Sequence, residues 1–561
     1  MKKLEQIQIN KLISSYGGVG SIIETNTNGS LRILSYDQWG CFQPNQMQHN
    51  NMQIDDPRLL CYVQGHGYAQ VKRLVPVPDR DLSKKVYYAN VNDLPTTVAS
   101  RFFPEWYFCP HCRKLYKLSE WKSLWDAKYP NDGKFDVNPP ACPYCSTQPQ
   151  NEIRPYPLQQ IRFVMASLET GDMQDVAFDL LWNGSAENGV WRTAQIVNRA
   201  RNLKYRTHKG GDGLNAIYIE NSDTSKKIYL SEIARNYIVK NNHAYKMVVR
   251  GSQSLYFPEI VRSIYIPLGN DENFQADDTD AMDLHEFRYL TNDKNYKKNM
   301  IVVFNNNLVV KRMTELRKTN LITRISAVER LKETSVLLSY SRMGKSGETQ
   351  QWYNVQARSV TRTKVGSKRP FEGNGNITFM PAVEAYGEGL FFEVDYGNIE
   401  KSDYQIFIHT LCHIIMKEME FHCGYPLTSL KEKIYVDADN QKGGFLIYTI
   451  AGSEGSYGGL ISLTKNDKIV DLIERGAERA CHCPNDPICK NESEAHCFAC
   501  LDIPETSCVK FNNELNRNVF LNYWFRNSSP DIQTTKTSDK EAVMNVEQFS
   551  STIGRPLGEI L

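Results

Sequence analysis

Residues 481–517 read CHCPNDPICKNESEAHCFACLDIPETSCVKFNNELNR. Six cysteines fall in the first 28 of these positions, with His482 and His496 between them. Asn, Pro and Glu recur and large apolar residues are few, so the stretch has little with which to bury a core of its own. Thiolates at this density suit a tetrahedral Zn2+, and the binding free energy of such an ion becomes folding free energy. The stretch is expected to fold around a metal.

A second cysteine group lies upstream. Cys109-Pro110-His111-Cys112 and Cys142-Pro143-Tyr144-Cys145 are two knuckles separated by 29 residues. Each such turn aims backbone N–H groups at its sulfurs, so two knuckles complete a four-thiolate site. The long spacing predicts an inserted loop or helix at 117–128. A closed site has no open position for chemistry, so Cys109, Cys112, Cys142 and Cys145 are expected to hold a structural zinc ribbon. Ten of the 14 cysteines sit in these two groups, and Cys41, Cys61, Cys412 and Cys423 are scattered. That distribution predicts metal sites in a reducing cytoplasm rather than a disulfide framework. No apolar run is long enough for a transmembrane helix, and MKKLEQIQIN lacks the apolar segment of a signal peptide.

The chain has 561 residues, room for roughly three or four domains. A net charge of +2 gives no global field toward nucleic acid, so such binding would come from local patches. The expected class is α+β and multidomain. It comprises a β-rich lobe at 1–100, a zinc ribbon at 101–150 and a mixed α/β region at 151–310 containing an acidic linker at 269–286. A basic helix with strands at 311–400, a zinc-binding domain at 401–526 and a flexible tail at 527–561 follow. Two apolar runs around Asn26, Asn28 and Gly29 predict a hairpin. Strands are expected near 160–166, 246–250, 262–267 and 446–450.

Residues 311–333, KRMTELRKTNLITRISAVERLKE, show an imperfect apolar stripe and read as a basic helix. Residues 356–369, QARSVTRTKVGSKR, add five basic residues and no acidic ones. Lys311, Arg312, Arg317, Lys318, Arg358, Arg362, Lys364, Lys368 and Arg369 are therefore candidate phosphate contacts, against the alternative of a solvated helix and loop. Gly344-Lys345-Ser346 ends like a Walker A motif, but Ser339 stands where its first Gly belongs, so the chain is not expected to be an ATPase. Glu384 and Glu388 lie in a glycine-containing stretch read as a turn, as capping or partner-facing groups rather than a catalytic pair. Residues 405–421 are apolar almost all round and predict a buried helix. His409 and His413 share one face at zincin spacing, but Thr410 follows the first His where a zincin has Glu. Core histidines bonded to backbone or carboxylate are the expected reading.

Several stretches in order resemble one family. HCFACLDIPETSC with NNELNR, and upstream PAVEAYGEGLFFEVD, FIHTLCHII, CGYPLTSLKEKIY and LIYTIAGSEGSYGGL, resemble the zinc-binding domain of unknown function fused to, or encoded beside, superfamily-two DNA helicases. SSYGGVGSIIET, DDPRLL, FFPEWYFCPHC, IRFVMASLETGD and RGSQSLYFPEIVRSIYIP extend the resemblance to the N-terminal half. Together they are similar to the stand-alone members encoded in bacterial DISARM anti-phage systems. The resemblance implies a DrmA-like superfamily-two helicase as partner, DNA reached through that complex, two structural zinc ions, and no catalysis by this chain. The rival readings are a zinc-dependent hydrolase or nuclease and a scaffold that binds only protein. Helicase-fused relatives usually carry a Gly before the HCFAC-like knuckle and fewer residues ahead of it. Here Cys481, Cys483 and Cys489 precede it, and four ligands must come from Cys483, Cys489, Cys497, Cys500 and Cys508. Cys489, Cys497, Cys500 and Cys508 are the expected set, with Cys483 as the alternative.

Overall fold

The computed structural model describes residues 17–24, 29–36, 53–77, 100–130, 141–147, 153–167, 171–183, 186–187, 190–192, 200–208, 212–240, 243–252, 255–265, 279–291, 303–305, 321–342, 353–354, 379–450, 458–464, 468–492 and 494–526, with a few single residues between them. The chain is α+β, with several antiparallel sheets, and divides into two compact units. The first comprises Met1–Met282 and Lys332–Tyr386, the second Asp283–Leu331 and Gly387–Leu561.

In the first unit the expected hairpin forms from Ile22–Glu24 and Ser30–Ile33, with Ile22 opposite Arg32. Two six-stranded sheets follow, one centred on His243–Val249 beside Phe163–Ser167, the other on Leu203–Thr207 beside Lys114–Lys117. In His243–Val249 only alternate residues, Tyr245 and Met247, are buried, the period of a strand with one face on a core. They join Trp106, Phe178, Leu203 and Ile219 in one apolar cluster. Gln160 ties hairpin to sheet: its carbonyl oxygen accepts from the Ser30 N–H at 2.6 Å and its amide donates to the Pro104 carbonyl at 2.7 Å. The inserted helix is Leu118–Lys128, its Trp121 and Trp125 fully buried one turn apart. Glu120 accepts from the Lys117 N–H at 3.0 Å and satisfies one orphan donor of its first turn.

The second unit is built around the helix Tyr404–Cys423, of which fourteen side chains are buried. The hairpin Leu430–Asp437 and Lys442–Ile450 packs against it, and Gly387–Asp395 extends the sheet with Gly387 opposite Ile450. Helix Lys468–Ala480 lies along the central helix. Gly476 permits the approach, since a Cβ there would come within 2.8 Å of Ile414 Cγ2.

Three expectations need correction. Residues 322–333 are not helical; they open the strand Ile322–Ser341. Ile322, Arg324, Ser326 and Val328 on one face and Ile325 and Ala327 on the other are all buried, so no period-2 alternation marks the strand. Arg324 is tolerated because Glu393 Oε2 lies 3.0 Å from its Nε. The acidic stretch enters a helix at Thr279–Thr291, where Glu286 is fully buried. The segment around Glu384 and Glu388 is no turn but part of the strand Phe379–Asp395. Its glycine is steric: a Cβ on Gly387 would sit 1.8 Å from the Thr449 carbonyl oxygen. Gly387→Ala is therefore expected to cost about 3 kcal/mol, the upper end for overpacking, measurable as a lowered midpoint in urea unfolding.

Candidate metal centres

The first cysteine group closes as its spacing predicts. Cys109, Cys112, Cys142 and Cys145 have sulfurs within 4.8 Å of one another, with Cys109–Cys145 and Cys112–Cys142 both at 3.7 Å. Cys109 leaves the strand Trp106–Phe108, and the turn is clamped by the Arg113 N–H to the Cys109 carbonyl at 2.9 Å, with Arg113 at φ +65°. Trp121 donates to the Tyr107 carbonyl at 2.8 Å and packs with Cys109 and Cys142. Burial opposes ionisation of Cys109, but the backbone N–H groups of Cys112 and His111 outweigh it and lower its pKa. Burial pushes Cys145 up to about 11. Four converging sulfurs, those of Cys109 and Cys142 buried, with such unequal ionisation are the donor set that a tetrahedral cation evens out.

In the C-terminal stretch the set differs from the expected one. Cys483, not Cys508, closes the group with Cys489, Cys497 and Cys500. Cys483–Cys497 is 3.4 Å, Cys489–Cys500 3.7 Å and Cys497–Cys500 3.8 Å. The Asn485 N–H donates to Cys483 Sγ and its side-chain amide to Cys497 Sγ, both at 3.4 Å. Against burial, the bonds from Asn485 and Cys483 lower the Cys497 pKa to about 6. Arg517, buried behind the loop, grips Asp486, whose carboxylate accepts from the Cys483 N–H at 3.0 Å. The Arg517 hydrogen bond holds the Asp486 carboxyl at about 2.

Cys508 is drawn away by the strand Leu430–Asp437. The Ser507 carbonyl accepts from the Glu432 N–H at 3.2 Å, and the Ser507 hydroxyl donates to the Leu427 carbonyl at 2.6 Å. That pairing sets Cys508 Sγ 3.4 Å from His409 Nε2, in a buried group with His413 and Glu432. Both histidines bond the backbone, as expected for core residues: His409 Nδ1 lies 3.2 Å from the Glu514 carbonyl and His413 Nδ1 3.0 Å from the Leu501 carbonyl. Glu432 was not singled out by its sequence. The available signal is a Glu on the same strand face as Leu430 and Ile434, the face that packs on the central helix.

His482 and Cys481 stay outside these groups, and His496 bonds Asp502 at 2.8 Å instead. Glu388 is a capping group: it accepts from the Gly458 N–H at 2.6 Å, the Leu460 N–H at 2.8 Å and the Tyr425 hydroxyl at 3.1 Å. Glu384 pairs with Lys332. Lys311, Arg312, Arg317, Lys318, Arg358, Arg362, Lys364, Lys368 and Arg369 lie outside the described residues, as does the tail at 527–561. Among the described residues, no helix is long and apolar enough to cross a membrane.

Residues 8–257, a span that contains the first cysteine group, match the domain of unknown function DUF8724. Beyond that domain the chain is a distant, near-full-length homologue of the DISARM protein DrmB of Bacillus paralicheniformis. The two are 23% identical over 611 aligned residues, covering 88% of this chain and 97% of the relative.

Proposed function

We propose that this chain is a component of a DISARM-type anti-phage defence system, acting as the non-catalytic partner of a DrmA-like superfamily-two DNA helicase. The observation that carries the reading is the extent of the match to DrmB, which covers almost the whole of both chains and leaves little of either unaccounted for. Zn2+ is the ion that the two four-cysteine groups fit. Cys109, Cys112, Cys142 and Cys145 would hold one, and Cys483, Cys489, Cys497 and Cys500 the other, each a closed shell that stabilises a loop-rich segment. The non-catalytic reading is supported by the commitments of Glu384 and Glu388, one to Lys332 and the other to two backbone N–H groups. DNA contact would fall to the basic residues of 311–318 and 358–369, as sequence-independent phosphate contacts sensitive to salt.

Tagged chain, coexpressed with a superfamily-two helicase of the same defence system, is expected to retain that helicase through gel filtration at moderate salt. A helicase that elutes alone would remove the partnership.

A further inference from the structure

We propose a third metal site in the second unit: His409, His413, Glu432 and Cys508 bind one Zn2+ in a closed, buried shell. It is independent of the two four-cysteine groups and of the helicase reading.

The four donor atoms lie within 4.8 Å of one another and all four residues are buried. The histidines face the two oxygens of one carboxylate, His409 Nε2 to Glu432 Oε1 at 3.0 Å and His413 Nε2 to Glu432 Oε2 at 3.2 Å, and Cys508 Sγ lies 3.4 Å from His409 Nε2. A tetrahedron with zinc bonds of about 2.0–2.3 Å has edges of roughly 3.3–3.8 Å, so the donors need to part by only a few tenths of an ångström.

The hydrogen-bond inventory points to a cation. The Glu514 and Leu501 carbonyls can only accept, so they place the protons of His409 and His413 on Nδ1. A neutral imidazole then turns a lone pair on Nε2 toward Glu432, whose carboxylate oxygens are acceptors too. His413 Nε2 and Glu432 Oε2, though 3.2 Å apart, have no hydrogen-bond partner. A single proton added to a ring or to the carboxylate serves one of the two Nε2–carboxylate contacts and leaves the other as facing lone pairs, and protonating both rings puts two imidazoliums against one carboxylate where the three side chains are 0% exposed. A dication balances the set: one thiolate, one carboxylate and two neutral imidazoles leave no net charge.

The surroundings match a ligand shell. Metal-bound histidines donate their second N–H to a carbonyl or carboxylate, as both do here. Cys508 Sγ accepts the Lys510 N–H at 3.4 Å and the Asn512 N–H at 3.2 Å, the same support that Asn485 gives Cys483. Glu432 Oε1 accepts the Val509 N–H at 2.9 Å. Imidazole with thiolate selects zinc over magnesium or calcium. With four protein donors and no open position, the ion is a staple joining the central helix, the Leu430–Asp437 strand and the loop carrying Cys508.

The test is metal stoichiometry with zinc K-edge absorption on the full-length protein, purified without chelator. Three zinc ions per chain are expected, with imidazole outer-shell scattering in the spectrum. Glu432→Gln and Cys508→Ser should each remove one ion and the imidazole signature, whereas Cys483→Ser should remove one ion and keep that signature. Two ions per chain in an all-sulfur shell would overturn the site, as would three ions without imidazole scattering. Both readouts come from the unmodified chain, so they decide between these outcomes even where a variant fails to fold.

Discussion

Cys483→Ser is expected to lose one bound metal ion and to melt well below the parent chain, although Cys489, Cys497, Cys500 and Cys508 all remain. Structural zinc sites contribute about 10–16 kcal/mol of apparent binding free energy in small zinc-finger peptides, so losing one of four thiolates is expected to remove several kcal/mol. The local structure has few other resources: the described residues between 481 and 500 form short turns and the four-residue helix Ile488–Asn491. The Cys483 N–H that fixes Asp486, the partner of Arg517, survives the substitution, so the loss is that of the thiolate. Metal content and thermal melting on the same sample check this. A Cys483→Ser chain with full metal content and an unchanged melting temperature would contradict the ligand set.

The second large effect is expected at Glu286. Its carboxylate is fully buried, pairs with the Lys433 ammonium at 2.5 Å and accepts from the Tyr435 hydroxyl at 3.0 Å. Glu286→Ala takes the buried carboxylate from Lys433 and leaves it the half-exposed Asp283 at 3.0 Å and the face of the Tyr435 ring. Removing one partner of a buried pair costs about 3–5 kcal/mol, and the remaining Asp283 places this case near the lower end. The double change Glu286→Leu with Lys433→Met should recover most of the loss, because the main cost of the single change is the stranded charge. Burial works against the Lys433 charge, but Asp283 and Glu286 outweigh it and raise its pKa. A lysine raised in the folded state contributes stability below the ordinary lysine range and loses it as pH rises through the folded value. The pair is therefore intact at neutral pH, and its contribution fades only in strongly alkaline solution. Urea unfolding of the single and double variants separates these effects.

What the sequence disclosed follows from how local each signal is. The knuckles at Cys109–Cys112 and Cys142–Cys145 were legible because two thiolates on one tight turn have little other use. Helix Tyr404–Cys423 was legible from continuous apolarity, and the position of Leu118–Lys128 from the room that the long knuckle spacing leaves. Ile322–Ser341 was not, because burial on both faces erases alternation and leaves spacings that a helix can imitate. The acidic run at 279–286 looked solvated because the lysine that neutralises Glu286 lies 147 positions away. The fourth ligand of the C-terminal group failed for the same reason. Spacing favoured Cys508, but its backbone neighbour Ser507 pairs with Glu432, a contact that no spacing rule contains. His409 and His413 were visible as a pair, while Glu432 became visible only once the strand was placed beside the helix.

The central claim, a helicase partner with no catalysis of its own, is tested most directly by DNA affinity across a salt series. Helicase, this chain and their complex would each be titrated against the same DNA, with nucleotide hydrolysis and DNA integrity followed in parallel. The complex is expected to bind more tightly than the helicase alone, with log affinity falling more steeply against log salt as added basic residues displace counterions. This chain alone is expected to hydrolyse neither nucleotide nor DNA. An unchanged helicase affinity, or DNA cleavage by the purified chain, would contradict it.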